Sequence, residues 1–143
     1  IEEQLNIHVA STLRICQVLV SKMESAGGGS IVLLGTSFLH GEPPKKMLPY
    51  LIAKEGTKVL MKVMASEFGP KNIRVNMVSP SMTNTELLSK VPPRQVKVTA
   101  AQNPMKRLAE PQDVANSVAF LASDNSAYVN GHEILVTGGS KIL

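Results

Sequence analysis

Apolar and polar residues follow one another along the chain in blocks with helical or strand spacing. The first block, residues 2 to about 23, predicts a helix, because its apolar residues recur at steps of three and four. These residues are Leu5, Val9, Leu13, Cys16 and Val20. Ile7, Ala10, Ile15 and Val18 widen the apolar face. We therefore expect this helix to be buried on more than one side.

The later blocks alternate between the two kinds of element. Residues 30–34 form an apolar run that is too short for a helix and is typical of a parallel strand covered on both faces. Residues 49–68 and a segment opening at 110–113 have helical spacing, whereas 73–78 and 134–136 predict strands. The alternation predicts an α/β fold with a parallel sheet. The proline-containing segment of about 81–106 is expected to form a lid.

Composition restricts the class of protein. A chain of 143 residues with 43% hydrophobic residues can bury a core as one domain. With 18% charged residues and no apolar run near 18 residues, neither disorder nor a membrane span is favoured. The 15 basic residues exceed the 11 acidic ones but are dispersed, so nucleic-acid binding is not expected. Cys16 is the only cysteine, which fits a reducing, cytoplasmic setting, and no metal site is expected.

Tyr50 and Lys54 are the strongest candidates for chemistry. Their spacing of four residues places a phenol and an ammonium group on one face of the predicted helix. A phenol has a pKa near 10, and a nearby ammonium lowers that value. The pair follows an apolar strand that ends in two hydroxyl residues, Thr36 and Ser37. Such a pair can deliver a proton.

Several motifs together resemble the catalytic half of the short-chain dehydrogenase/reductase family. Tyr50 and Lys54 match the family's Tyr-x-x-x-Lys signature, and the strand after residue 28 resembles the one that delivers its catalytic hydroxyl. The other matching positions are Asn72 to Asn76, Pro80, Arg107, Pro111, Asp113, Asn130, Gly131, Gly138 and Gly139. The resemblance implies a Rossmann-like doubly wound sheet. The nearest subgroup is that of 3-oxoacyl carrier-protein reductases and related ketone or sugar-alcohol reductases.

The resemblance also implies an activity. It suggests an NAD(P)-dependent oxidoreductase that interconverts a ketone and a secondary alcohol, with acyl-carrier-linked substrates among the candidates. Tyr50 would be the general acid, and Lys54 would also hold the nicotinamide ribose. The family places its serine 13 residues before the tyrosine, which selects Ser37, whereas counting forward from Gly29 selects Thr36. We favour Ser37 and keep Thr36 as the alternative.

Other family positions differ in this chain. His8 stands where the family has an asparagine that helps hold a proton relay, and Asn6 points about 200° away around the helix. A histidine can carry a relay, or it can be structural. Ser81 replaces a glycine after Pro80, whereas Thr85 matches the threonine that contacts the nicotinamide. Pro80, Ser81 and Thr85 are therefore expected to contact the cofactor.

A dinucleotide-binding turn is missing from this sequence. No glycine-rich turn leads from a strand into a helix, so no phosphate cradle is recognisable and NAD cannot be told from NADP. We therefore interpret residues 1–143 as a partial domain that forms the catalytic and substrate-binding half. The alternative is a catalytically inactive assembly or regulatory module. In both cases the broad apolar faces of helices 2–23 and 49–68 predict a homodimer or homotetramer.

Overall fold

Three parallel strands form the centre of the protein. The computed structural model describes residues 1–142, in which β1 (Gly29–Leu34) pairs with β2 (Ile73–Pro80) and β2 pairs with β3 (Glu133–Val136). The sheet order is β1-β2-β3, and Gly29 is opposite Ile73 while Met77 is opposite Glu133. The predicted α/β fold with a parallel sheet is confirmed.

Helices connect and flank these strands. They are α1 (Glu2–Leu5), α2 (Ser11–Ser25), α3 (Leu48–Phe68), α4 (Pro93–Gln102) and α5 (Pro111–Ala122), with a π-helical turn at Asn6–Ala10. Short 3-10 helices lie at Ser37–Leu39, Gly69–Lys71, Glu86–Lys90 and Asp124–Ser126. The sequence did not predict α4 or the π-helical turn that joins α1 to α2. Among the described residues, no helix has the length and hydropathy needed to cross a membrane.

The core lies between α2, α3 and one face of the sheet. It contains Cys16 and Val20 from α2, Met61 and Met64 from α3, and buried residues of β1 and β2. On the sheet, α5 packs through Leu121, whose side chain is fully buried and whose carbonyl oxygen accepts a hydrogen bond from Ser30 Oγ at 2.8 Å. Helices α2 and α3 thus each bury an apolar stripe, as the spacing of their apolar residues requires.

The prediction that the first helix is buried on more than one side is wrong for the single chain. Ile7, Ile15 and Val18 are 53%, 59% and 64% exposed, whereas Cys16 and Val20 are buried. The sheet and α3 can cover only one side of this helix. Its second apolar face consequently remains open.

Gly35 brings the end of β1 very close to β2. A Cβ atom at this position would lie 2.1 Å from Ser79 Oγ and 2.6 Å from Met77 Sδ, so the backbone has no room for a side chain. Gly35 N donates to the Val78 carbonyl oxygen at 2.8 Å. This close approach fixes where Thr36, the next residue, leaves the sheet.

Candidate active site

A cavity of about 650 Å³ opens beyond the carboxyl ends of β1 and β2. The chain leaves β1 through Leu34 and Thr36 on one side of it and leaves β2 through Pro80 and Met82 on the other. Parallel α/β sheets bind their ligands at this edge. The volume lies within the range of about 300–1,000 Å³ usual for sites that bind small molecules.

Lys54 and Tyr50 lie on the same face of α3, as their spacing predicts. Lys54 is only 8% exposed, and its Nζ donates to the Leu34 carbonyl oxygen at 2.8 Å. The same Nζ lies 5.8 Å from the centroid of the Tyr50 ring, and Tyr50 lines the cavity. Burial lowers the pKa of Lys54. The helix therefore presents a phenol to the cavity with an ammonium group behind it.

The sequence predicts a lowered pKa for Tyr50, but the pKa of Tyr50 is raised in this structure. Burial raises the pKa of Tyr50, and a polar contact with the Thr36 side chain offsets only part of that rise. The ammonium of Lys54 is directed at the Leu34 carbonyl oxygen rather than at the phenol. Tyr50 is consequently a protonated phenol at neutral pH, which suits a proton donor.

Thr36, rather than Ser37, is the hydroxyl residue beside Tyr50. Both residues are buried, at 5% and 1% exposure, but only Thr36 lines the cavity. Thr36 caps the 3-10 helix that follows, with its Oγ1 accepting from Phe38 N at 3.3 Å. Ser37 is the first residue of that turn and points into the protein. The geometry thus favours Thr36, which the count from Gly29 selects, over Ser37, which the 13-residue spacing selects. The catalytic role of either hydroxyl stays a prediction.

His8 also lies against the ring of Tyr50. The two ring centroids are 5.7 Å apart at an angle of 81°. Burial lowers the pKa of His8, and the positive charge of Lys54 lowers it further. His8 is in the π-helical turn, and its carbonyl oxygen accepts from the hydroxyls of Thr12 and Thr57. Such turns are frequent at functional sites.

The three residues expected to contact the cofactor all line the cavity. Pro80 ends β2, and Ser81 N donates to the Val136 carbonyl oxygen at 3.1 Å, which holds this turn against β3. Thr85 precedes the 3-10 helix at Glu86–Lys90. The structure brings these positions to the same cavity as Tyr50, and their cofactor-binding role stays a prediction.

The predicted lid segment forms much of the apolar wall. The segment has five apolar residues that the sequence predicts to face the ligand, and of these Met82, Leu87, Leu88 and Val91 line the cavity. Met105 does not, because it is 60% exposed and lies on another surface. The ends of the segment are joined, since Asn84 N donates to the Ala109 carbonyl oxygen at 2.8 Å.

Sequence reasoning missed two further residues of the cavity, Phe38 and Met47. Phe38 is two residues after Thr36, so the folding of the chain into a 3-10 turn brings it back to the site. Met47 immediately precedes α3, three residues before Tyr50, so both residues reach the cavity from the same end of the helix. Their positions next to predicted site residues were the only available signal.

A partly buried carboxylate, Glu133, connects the segments that carry the site. Its Oε1 accepts from Ser79 Oγ at 2.5 Å and lies 3.1 Å from His40 Nε2, and its Oε2 lies 2.8 Å from Lys58 Nζ. Burial acts to raise the pKa of Glu133, but hydrogen bonds from Lys58, Ser79 and His40 outweigh burial and lower it. The sequence predicts His40 to be a loop residue separated from any ligand-like cluster. It is instead part of this cluster, 93 residues from its partner.

The described residues hold no group of three or more His, Cys, Asp or Glu side chains that could bind a metal ion.

A doubly covered parallel sheet with a Tyr-Lys helix at its carboxyl edge defines a Rossmann-like α/β protein. A family model described as enoyl-(acyl carrier protein) reductase matches residues 1–141. Dehydrogenase/reductase SDR family member 4 from Mus musculus is 33% identical over 141 residues, which cover 97% of this chain and 50% of that protein. The 3alpha-hydroxysteroid dehydrogenase of Mediterraneibacter gnavus is 34% identical over 140 residues, covering 96% and 54%. The chain belongs to the short-chain dehydrogenase/reductase family.

Solved structures agree with this assignment. A 7 alpha-hydroxysteroid dehydrogenase complexed with NADH and 7-oxo glycochenodeoxycholic acid superimposes with a TM-score of 0.87 and 32% identity. The match covers 92% of this chain and 52% of that one. The chain thus spans about half the length of the relatives it matches.

Proposed function

We propose that this chain supplies the catalytic and substrate-binding half of an NAD(P)-dependent oxidoreductase that interconverts a ketone and a secondary alcohol. The observation that supports this most directly is that Tyr50 and Thr36 line one cavity, with Lys54 Nζ behind Tyr50 at 5.8 Å from its ring centroid. A phenol that is protonated at neutral pH, beside a second hydroxyl donor, is suited to a carbonyl oxygen that gains negative charge.

The donor set fits the nicotinamide end of a dinucleotide. Ser81 and Thr85 offer hydroxyls on one side of the cavity, and the Lys54 ammonium lies behind Tyr50. When bound, the nicotinamide would supply or accept the hydride. A relative is described as complexed with NADH, but no residue described here distinguishes NADH from NADPH. We propose that Pro80, Ser81, Thr85, Tyr50 and Lys54 hold this end of the cofactor.

In carbonyl reduction, Tyr50 Oη would donate its proton to the carbonyl oxygen, and the Thr36 hydroxyl would donate a hydrogen bond to the same oxygen. Lys54 would stabilise the phenolate that remains, since opposite charges favour the ionised form. His8 has a lowered pKa and lies against the Tyr50 ring, so we propose it as a proton relay that returns the proton. The segment 81–106 would cover the substrate and exclude water.

We further propose that the protein forms a homodimer or homotetramer. In α3, Ile52, Val59 and Val63 are 41%, 52% and 46% exposed and lie on one helix face at steps of seven and four. The open face of α2, with Ile15 and Val18, is equally apolar. Burial of these two faces between copies would remove them from water. Sedimentation of the protein at micromolar concentration tests this, and a monomer would contradict it.

Substitution of Tyr50 by Phe tests the activity. The protein is assayed with NADH and with NADPH against a panel of small ketones, including a 3-oxoacyl thioester. Tyr50→Phe removes the proton donor and keeps the ring, so we expect a loss of reduction of 100-fold or more, within the range of about 10²–10⁴ for a general acid. Unchanged unfolding would show that the fold is intact.

The chain offers a matched control, because Tyr128 is its only other tyrosine and is fully exposed. Tyr128→Phe should leave reduction unchanged. If Tyr50→Phe also leaves it unchanged, Tyr50 is not the proton donor. If no ketone is reduced, titration of the chain with NADH and NADPH separates the two cases. Absent binding is expected where the dinucleotide-binding half has to be supplied, whereas binding without reduction favours the alternative of an inactive assembly or regulatory module.

A further inference from the structure

The polar groups of the cavity are concentrated near Tyr50 and at the turn after β2. They are hydroxyls of Thr36, Tyr50, Ser81, Thr83 and Thr85. None of the described residues that line the cavity is charged, and none is an amide or a histidine. A ligand can therefore find hydrogen-bonding partners close to the reacting oxygen and few elsewhere.

The remaining wall is made of flexible or branched apolar side chains. Phe38 and Met47 lie on the side of β1 and α3, and Met82, Leu88 and Val91 lie on the lid segment opposite. A wall of this composition stabilises apolar carbon skeletons by removing them from water. It leaves a hydroxyl without a partner and a carboxylate without a counter-ion, both of which oppose binding.

We propose that the substrate of this site is an uncharged, apolar, bulky ketone, or the corresponding secondary alcohol, whose skeleton carries no further polar group where it meets the apolar wall of Phe38, Met47, Leu88 and Val91. Ketones that carry several hydroxyls or an anionic group beside the carbonyl are excluded as good substrates. This inference rests on the proposed function, because it assigns the substrate class of the same cavity. A cavity of about 650 Å³ has room for a fused-ring skeleton together with a nicotinamide ring.

The first experiment compares three ketones of similar shape as substrates: 1-decalone, a hydroxylated 1-decalone and a 1-decalone carboxylate. We expect the unsubstituted ketone to have the highest kcat/KM, by about 10-fold to 100-fold over the hydroxylated one, since an apolar pocket discriminates against an added hydroxyl by up to about 100-fold. The carboxylate should be poorer still. Equal or higher kcat/KM for either polar analogue would overturn the inference.

A second experiment measures binding without turnover. The chain has seven methionines, of which Met47 and Met82 line the cavity. Four others lie in or against the core, namely Met23, Met61, Met64 and Met77. Met105 is exposed on another surface. With methyl-¹³C-methionine labelling, 1-decalone should shift the Met47 and Met82 signals and leave the other five in place. No shift, or shifts confined to Met105, would contradict the proposal.

Matched variants test the lid wall. Val91→Thr keeps the shape of the side chain and places a hydroxyl in the cavity, so the preference for 1-decalone over its hydroxylated analogue should fall several-fold. Val98→Thr makes the same change on α4 at a residue that is 45% exposed and outside the cavity. This control should leave the preference unchanged. If both variants behave alike, Val91 does not contact the substrate and the inference fails.

The two experiments separate the inference from the function on which it rests. Methionine shifts on adding 1-decalone, together with reduction that is equal in wild type and Tyr50→Phe, would support the apolar ligand class and refute the proposed chemistry. Reduction of the hydroxylated or carboxylated ketone in preference to 1-decalone would support the oxidoreductase and refute the apolar class.

Discussion

Replacement of Glu133 by Gln should destabilise the protein far more than replacement of a carboxylate in an exposed ion pair. The Glu133 side chain is 9% exposed and lies 2.8 Å from Lys58 Nζ, which is itself only 17% exposed. Glu133→Gln keeps the volume and an acceptor for Ser79 but leaves Lys58 charged without its partner. Removing one member of a buried pair costs about 3–5 kcal/mol, and we expect about 3 kcal/mol because Lys58 retains some access to water.

The control is Glu24→Gln. Its partner, Lys71, lies at the same N-to-O distance of 2.8 Å, but the two side chains are 49% and 38% exposed. Exposed pairs contribute about 0–1 kcal/mol. Urea or thermal unfolding measures both variants, and for a chain of this size Glu133→Gln should lower Tm by roughly 10 °C. Adding Lys58→Met should restore part of the loss, because it removes the unpaired charge.

The effect of Glu133 should also depend on pH. Its pKa is lowered in the folded protein, so the ionised carboxylate contributes stability above its ordinary pKa and loses that contribution as the pH falls through the lower folded value. The stability difference between wild type and Glu133→Gln should therefore be complete at neutral pH and shrink below about pH 4, near and beneath the ordinary glutamate pKa. Equal costs for Glu133→Gln and Glu24→Gln at pH 7, or a difference that grows in acid, would refute this reasoning.

Two further predictions concern the site and the strand that leads to it. Gly35→Ala should destabilise the protein by about 1–3 kcal/mol in urea unfolding, since the added Cβ would meet Ser79 Oγ at 2.1 Å, whereas Gly69→Ala, with its nearest neighbour at 3.6 Å, should cost little. Equal effects would contradict the close approach. Because burial raises the pKa of Tyr50, ketone reduction should stay level through neutral pH and fall only above the ordinary phenol pKa of about 10, while alcohol oxidation rises over the same range. A decline centred near pH 7 in reduction would show that Tyr50 is not the group that controls the rate.

Local pattern accounts for most of the fold. The apolar run before Gly35 and the helical spacing through Lys54 specify β1 and α3 within about one residue, because the side-chain period of each element matches the face that it buries. The π-helical turn at Asn6–Ala10 has no such signal, because the apolar spacing continues through it. Helix α4 was missed because the prolines before it resemble a loop, although a proline is well tolerated in the first turn of a helix.

The site was predictable where its residues are near one another in sequence. Tyr50 and Lys54 are one helical turn apart, so their shared face follows from geometry alone. The choice between Thr36 and Ser37 depends on how the chain turns after β1, which a count along the sequence cannot resolve. Glu133 and its three partners come from four different segments, and only the paired strands and the helix packed on them bring these side chains together.

The position of Glu133 near the end of the sequence has a consequence for the order of folding. Its contacts with His40, Lys58 and Ser79 close loops of 93, 75 and 54 residues, obtained as 133 minus 40, 58 and 79. Contacts between residues so far apart form late and slow the folding rate. During synthesis, β1, α3 and β2 would emerge before the carboxylate that neutralises Lys58. β1 and β2 pair directly, but the ion pair that ties α3 to β3 forms only after residue 133 has been made, and a chain cut short before that residue would leave the Lys58 charge without its carboxylate.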